Sequence, residues 1–268
     1  MTRRLEGKAA IVTGASSGIG RATAQALARE GVRVALAGRT QELLDEAVAG
    51  IRAEGAEAFA LAGDVRREAD IAALFQAAAN RFGKLDILVN SAGVGYPGPA
   101  VQGQADQWRE MLETNVLGLC LACREGVRAM AGRGGTLVNV SALAGSEPAP
   151  GFAAYGASKH AVNGFSDSLR LELAGSGIRV LVVEPGQTMT SFARNIPHAQ
   201  LVQLGRTFGL PAEAIPNFEG GHAPPQFLEA ASRALPDRFL SAEKVASAIV
   251  SALVAPRPDV EKISLRPG

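Results

Sequence analysis

The stretch that decides the fold is Thr13-Gly14-Ala15-Ser16-Ser17-Gly18-Ile19-Gly20. An apolar run, Ala9–Thr13, leads into it, and a helical pattern, Gly18–Glu30, leads out. Three glycines at this spacing are weak evidence alone, because glycines also make ordinary turns. Between a strand and a helix, with a second strand to follow, they acquire a purpose. The backbone turns tightly, and a pyrophosphate can sit against the free N–H groups of the helix N-terminus.

The same alternation continues outward from this turn. Apolar, β-rich runs recur at Val32–Ala37, Ala58–Ala62, Ile87–Asn90, Thr136–Val140, Val180–Val183 and Ile263–Leu265. Helical patterns lie between them at Gln41–Glu54, Glu68–Phe82, Ala105–Ala131, Ala153–Ala174 and Ala242–Val254. Continuous apolar strands imply burial on both faces. The expected fold is therefore α/β: a doubly wound, Rossmann-like parallel sheet of about seven strands with helices on both faces. Residues 1–268 read as a single dinucleotide-binding and catalytic domain. Ligands in such sheets bind beyond the carboxyl ends of the strands, so function is sought just after each strand.

One segment breaks the rhythm. From about 192 to 239, six prolines interrupt any long helix, and five of the ten phenylalanines fall there. This aromatic content suits a variable, mostly apolar lid over a substrate site; a packing or oligomer-contact insert is the alternative.

Composition narrows the function classes. With 47% hydrophobic residues the chain can build a large core, and a formal charge of +1 gives no reason to expect nucleic acid or an anionic membrane as partner. No apolar run is long enough to span a bilayer, and the charged start at Met1–Lys8 does not resemble a signal peptide. A cytoplasmic protein is expected. Cys120 and Cys123 form a C-x-x-C inside a helical, apolar stretch, without the helix N-terminus that activates a redox thiol or the further ligands that complete a zinc site. They read as buried thiols, and no metal is expected.

The second strand ends at Gly38-Arg39, about twenty residues past the glycines, where an acid would accept hydrogen bonds from the ribose 2′-OH of NAD. Arg39 stands there instead, followed by Thr40. A guanidinium suits the 2′-phosphate of NADP, to which it can donate two parallel bonds. NADP(H) is favoured over NAD(H).

Tyr155 and Lys159 lie four apart, on one face of a predicted helix. A tyrosine with a pKa near about 10 is a poor acid or base at neutral pH; a neighbouring cation stabilises its phenolate and brings the pKa down. The chain holds two tyrosines and five lysines, so their meeting at this spacing is notable.

The TGxxxGxG spacing in TGASSGIG resembles the fingerprint of the single-domain short-chain dehydrogenases, and later motifs agree in order along nearly the whole chain. The resemblance implies cofactor contacts from Gly14, Ser16, Ser17, Gly18, Ile19 and Gly20, from Asp64 and Val65 at the adenine ring, and from Asn90, Ala92 and Gly93 in an element similar to NNAG, with Ser91 replacing the second asparagine. It also implies Pro185, Gly186, Thr188 and Thr190 around the nicotinamide amide and phosphates. Lys159 would bind the nicotinamide ribose, and Asn115 would hold a water in a proton relay with Tyr155. The implied substrate is a small-molecule ketone or aldehyde and its alcohol, and the implied assembly a homodimer or homotetramer. Epimerase or dehydratase chemistry is not expected, because the extra C-terminal domain of those relatives is missing.

One position departs from the pattern. Relatives place a substrate-binding serine thirteen residues before the tyrosine; here that position is Ala142, and Ser141 precedes it. Neighbouring strand residues point to opposite faces. Three readings stay open: a bulge re-aims Ser141 into a catalytic role, another hydroxyl such as Ser146 or a water replaces it, or activity is weakened. Losing one such hydrogen bond typically costs about 3 kcal/mol in the barrier. A dinucleotide-binding sensor or pseudoenzyme with weak catalysis is the competing function.

Overall fold

The computed structural model describes residues 3–190, 202, 239–255 and 260–267. The seven strands of its main sheet are β1 (Ala9–Thr13), β2 (Arg33–Gly38), β3 (Ala58–Ala62), β4 (Ile87–Asn90), β5 (Gly135–Val140), β6 (Ile178–Pro185) and β9 (Lys262–Leu265). Every pairing is parallel, in the order β3-β2-β1-β4-β5-β6-β9. Two-residue strands β7 (Thr188–Met189) and β8 (Leu240–Ser241) pair separately. The helices are α1 (Gly18–Arg29), α2 (Gln41–Ala53), α3 (Glu68–Phe82), α4 (Ala105–Leu112), α5 (Gly118–Met130), α6 (Ala153–Glu172) and α7 (Ala242–Val254). The strand order reverses between β1 and β4, which opens a crevice at their carboxyl ends.

Both faces of the sheet are covered because each strand buries alternate residues on opposite sides. Ala10, Val12, Val34 and Leu36 join α1, α2 and α7 through Leu27, Leu44, Ile51, Val245 and Ile249. Their neighbours Ala9, Ile11 and Ala35 face α3, α5 and α6 through Ile71, Leu74, Leu119 and Val162. Burying each large aliphatic side chain contributes about 1.5–3 kcal/mol. Alanines at 22, 26, 242 and 246 meet where α1 faces α7, where small side chains permit close approach.

The expected long helix over 105–131 is two helices joined by a π-helical turn, Glu113–Leu117. Pattern reading missed it because one added residue per turn barely disturbs the apolar period, whereas it redirects Asn115 inward. The 192–239 segment lies outside the described residues, apart from Val202 and Phe239. Among the described residues, no helix is long and apolar enough to cross a membrane.

Candidate active site

The glycine-rich turn joins β1 to α1. Gly14 has φ +66°, and a Cβ there would lie 2.7 Å from Ala92 N; a Cβ on Gly20 would lie 2.4 Å from Gly14 O. Both positions therefore exclude a side chain, and α1 can start directly against the turn. Thr13 Oγ1 accepts the N–H groups of Ser91 and Ala92 at 3.2 and 3.3 Å, tying the end of β1 to the loop after β4. Ser16 packs under Gly38, where a Cβ would meet its own Cβ at 3.2 Å, and Thr190 packs on Gly18 at 3.0 Å from the same kind of atom. The turn Gly14–Gly20, Arg39 after β2, Ala92-Gly93 after β4 and Gly186–Thr190 after β6 thus rim one crevice. Its glycine backbone floor, the N-terminus of α1 and the Arg39 guanidinium are features a dinucleotide needs, so the residues present fit that group.

The chemical centre lies on α6 beside this crevice. Tyr155 and Lys159 share a helix face, with Lys159 Nζ 5.9 Å from the centroid of the phenol ring. Lys159 is buried, only 5% exposed, and Nζ donates to Val140 O at 2.9 Å. Gly93 faces it across the crevice: a Cβ there would be 3.7 Å from Nζ and 3.3 Å from Asn115 Oδ1. Burial pushes Lys159 down to about 8 and pushes the Tyr155 phenol above its ordinary value. The direction for Tyr155 is opposite to that expected from a cation alone. Desolvation disfavours the phenolate here, which makes the phenol a weaker acid than a free tyrosine and opposes the effect of the neighbouring cation.

Asn115, buried in the π turn, accepts Val94 N at 2.8 Å and donates to Val94 O at 2.9 Å and to Ser158 Oγ at 3.0 Å. Ser158 Oγ donates in turn to Tyr155 O at 2.7 Å. Asn115 therefore staples the loop after β4 to the first turns of α6. This role was not legible from its place in a helical pattern.

The Ala142 region resolves one sequence question. The backbone at Ala142 is extended, with φ −162° and ψ 161°, and Ser141 N still bonds Val183 O at 2.8 Å, so no bulge turns Ser141 round. The Ser141 hydroxyl donates to Lys159 O at 3.2 Å, and the exposed Ser146 hydroxyl donates to Leu143 O at 3.3 Å.

Two buried polar networks lie behind the site, and the first takes in Asn90 of the NNAG-like element and Cys123 of the C-x-x-C. Asn90 Nδ2 donates to Asn139 Oδ1 and to Cys123 Sγ, and Asn139 Nδ2 donates to Ser166 Oγ. Cys123 is thus more than a small hydrophobe, although burial pushes its thiol up to about 12, away from reactivity; Cys120 is half-buried. Asn163 Nδ2 donates to Glu184 Oε1 and Gly145 O, both at 2.8 Å, while Glu184 also accepts Ser264 Oγ and pairs with Lys262. This network pins the turn after Ala142 to β6 and β9. At the other end of the crevice, Asp64 is bound side-on by Arg66; burial alone would raise its carboxyl, but the Arg66 bonds and charge hold it below its usual range.

Comparison with known proteins agrees with this architecture. A family model described as short chain dehydrogenase matches residues 8–201. A 3beta-hydroxysteroid dehydrogenase of Mediterraneibacter gnavus is 38% identical over 188 residues, covering 70% of this chain and 68% of that protein. The glycine betaine reductase of Emericella nidulans is 38% identical over 78% of this chain, which spans only 16% of that protein. Among solved structures, a variant of actinorhodin polyketide ketoreductase with NADPH has a TM-score of 0.82 at 30% identity, covering 100% of this chain and 98% of that one. A short chain dehydrogenase/reductase of Burkholderia phymatum in complex with NAD has a TM-score of 0.77 at 30% identity, covering 97% of this chain and 89% of that one. The chain belongs to the short-chain dehydrogenase/reductase family of oxidoreductases.

Proposed function

We propose that this protein interconverts a small-molecule ketone or aldehyde and its alcohol with NADP(H), using Tyr155 as the proton donor or acceptor. The observation that carries the reading is the pairing of half-buried Tyr155 with buried Lys159, which opens through the side-chain-free position Gly93 onto the glycine-floored crevice. The dinucleotide, when bound, supplies or accepts the hydride. Gly14–Gly20 would hold its pyrophosphate, Arg39 and Thr40 its 2′-phosphate, Asp64 and Val65 its adenine, and Asn90, Ala92, Gly93, Pro185, Gly186, Thr188, Thr190 and Lys159 its nicotinamide half.

Each protein group has one task. Tyr155, protonated at neutral pH as any tyrosine is, gives its proton to the carbonyl oxygen as an alkoxide develops. Lys159, a cation below about pH 8, lies over the phenol ring and stabilises the phenolate that remains. Asn115 keeps the Val94 loop and Ser158 in register with α6. Ser141, engaged with Lys159 O, positions the same helix. Residues 192–239 act as the lid of a single catalytic domain, and their phenylalanines suit a substrate with apolar surface. Exposed Val101, Leu112 and Leu117 support a homodimer or homotetramer, which we place in the cytoplasm.

NADPH oxidation across a panel of ketones, aldehydes and 3-oxo acids tests the reading, with Tyr155→Phe as control. Equal rates for wild type and variant would sink it. A second reading, a dinucleotide sensor with little catalysis, rests on Ala142 and on the engagement of Ser141 elsewhere. Tight NADPH binding without turnover across the panel, unchanged in Ala142→Ser, would favour it.

A further inference from the structure

Around the adenosine end of the crevice, two guanidiniums converge on one carboxylate. Arg39 Nη1 lies 3.4 Å from Glu110 Oε1, and Arg66 Nη1 lies 3.9 Å from the same oxygen. The other edge of Arg66 is committed: its Nε and Nη2 grip Asp64 at 2.9 and 2.5 Å, which fixes the guanidinium and leaves Nη1 as the free donor. The second oxygen of Glu110 accepts the Tyr96 hydroxyl at 2.5 Å, which aims the carboxylate.

Contacts of 3.4 and 3.9 Å are too long for good hydrogen bonds. Arg39 and Arg66 are 43% and 33% exposed, so water already screens their attraction to Glu110. The carboxylate therefore holds the arginines weakly. A phosphate dianion has more charge and more acceptor oxygens and can take both Nη1 groups at once. Arg39, Arg66, Asp64 and Glu110 are together neutral. Adding a dianion therefore leaves excess negative charge, which the withdrawal of Glu110 halves.

We propose that Glu110 is an internal competitor for the cofactor's 2′-phosphate, and that Arg66 is a second arm of the phosphate site beside Arg39. Glu110 holds the two arginines in place while the phosphate is absent and yields them when it binds. It thereby sets how strongly NADP(H) is preferred over NAD(H), which lacks that phosphate. The inference rests on the dinucleotide reading above.

Equilibrium titration of the full-length protein with NADPH and with NADH, followed by cofactor fluorescence, reads the effect without turnover. Glu110→Gln keeps the shape and an acceptor for Tyr96 while removing the charge. It should tighten NADPH by about five-fold and leave NADH within about two-fold. Arg66→Gln is the independent arm and should weaken NADPH by about ten-fold or more, with NADH little changed. Adenosine 2′,5′-bisphosphate should follow NADPH, and AMP should follow NADH. If the wild type prefers NADPH but neither variant alters the NADPH-to-NADH ratio, the inference alone is overturned. If the wild type binds NADPH no more tightly than NADH, the cofactor reading falls and the inference falls with it.

Discussion

Charge is handled in opposite ways at the two ends of the crevice. At the adenosine end, Arg39, Arg66, Asp64 and Glu110 are partly exposed and pair with one another. At the chemical end, Lys159 is buried with a carbonyl and a phenol ring for company, and Tyr155 lies against the same helix face. Water decides the difference. Where it reaches the side chains, opposite charges need little help to persist, and they can exchange partners cheaply. Where it is excluded, the charged form itself becomes expensive, so proton affinity moves instead: Lys159 down to about 8, and Tyr155 up. One end is suited to holding an anion and the other to moving a proton.

The largest expected break in this contrast is Tyr155→Phe. If Tyr155 exchanges the proton as proposed, its loss should lower kcat by about a thousand-fold, while NADPH affinity measured by titration stays within about three-fold. A parallel collapse of both would assign Tyr155 to binding instead.

The next effect is on stability. Lys159 has a pKa of about 8 in the folded protein, against 10.5 for the free side chain. Between those values the unfolded chain binds a proton that the folded one has released, so folding stability contributed by this group rises with pH across that window. Below it the burial cost is felt in full. Urea denaturation at pH 7.5 and 10, compared with Lys159→Met, should show the wild type gaining about 2 kcal/mol relative to the variant. A pH-independent difference would mean that the lysine is solvated like those at the other end.

A smaller effect is expected at Ala142. With Ser141 turned to Lys159 O and Ser146 to Leu143 O, a serine at 142 should supply a hydroxyl to the substrate oxygen and raise kcat by about ten-fold. An unchanged rate would show that another donor already serves. The smallest effect belongs to Arg29→Gln. It breaks an exposed, two-bond pair with Glu54 and should leave the unfolding midpoint unchanged within error, because both ions remain solvated.

Pattern reading captured most of the framework because its signals are local. Continuous apolar strands, a glycine turn between strand and helix, and a residue spacing of four each depend on neighbours along the chain. The apolar pattern marks only Val180–Val183, because the strand, Ile178–Pro185, begins and ends on residues whose pairing partners lie in β5 and β9. The pattern puts Asn115 on a helix, whereas its work depends on the π turn and on Val94, distant in sequence. Glu184, Asn163 and Glu110 had no signal at all, since an isolated acid or amide looks the same in sequence whether solvated or buried against a partner.

The amino-acid sequence by itself determined the parallel α/β sheet, the glycine turn that a backbone must make there, the Arg39 position and the face shared by Tyr155 and Lys159. Each is set by chirality, side-chain size or helical period within a few residues. The tertiary structure alone decided what water can reach. It buried Lys159 against Val140 O, turned Ser141 away to the α6 backbone, and brought Arg39, Arg66 and Glu110 together from three separate elements. Electrostatics depends on distance and exposure in three dimensions, so that part of the chemistry could be read only from the folded chain.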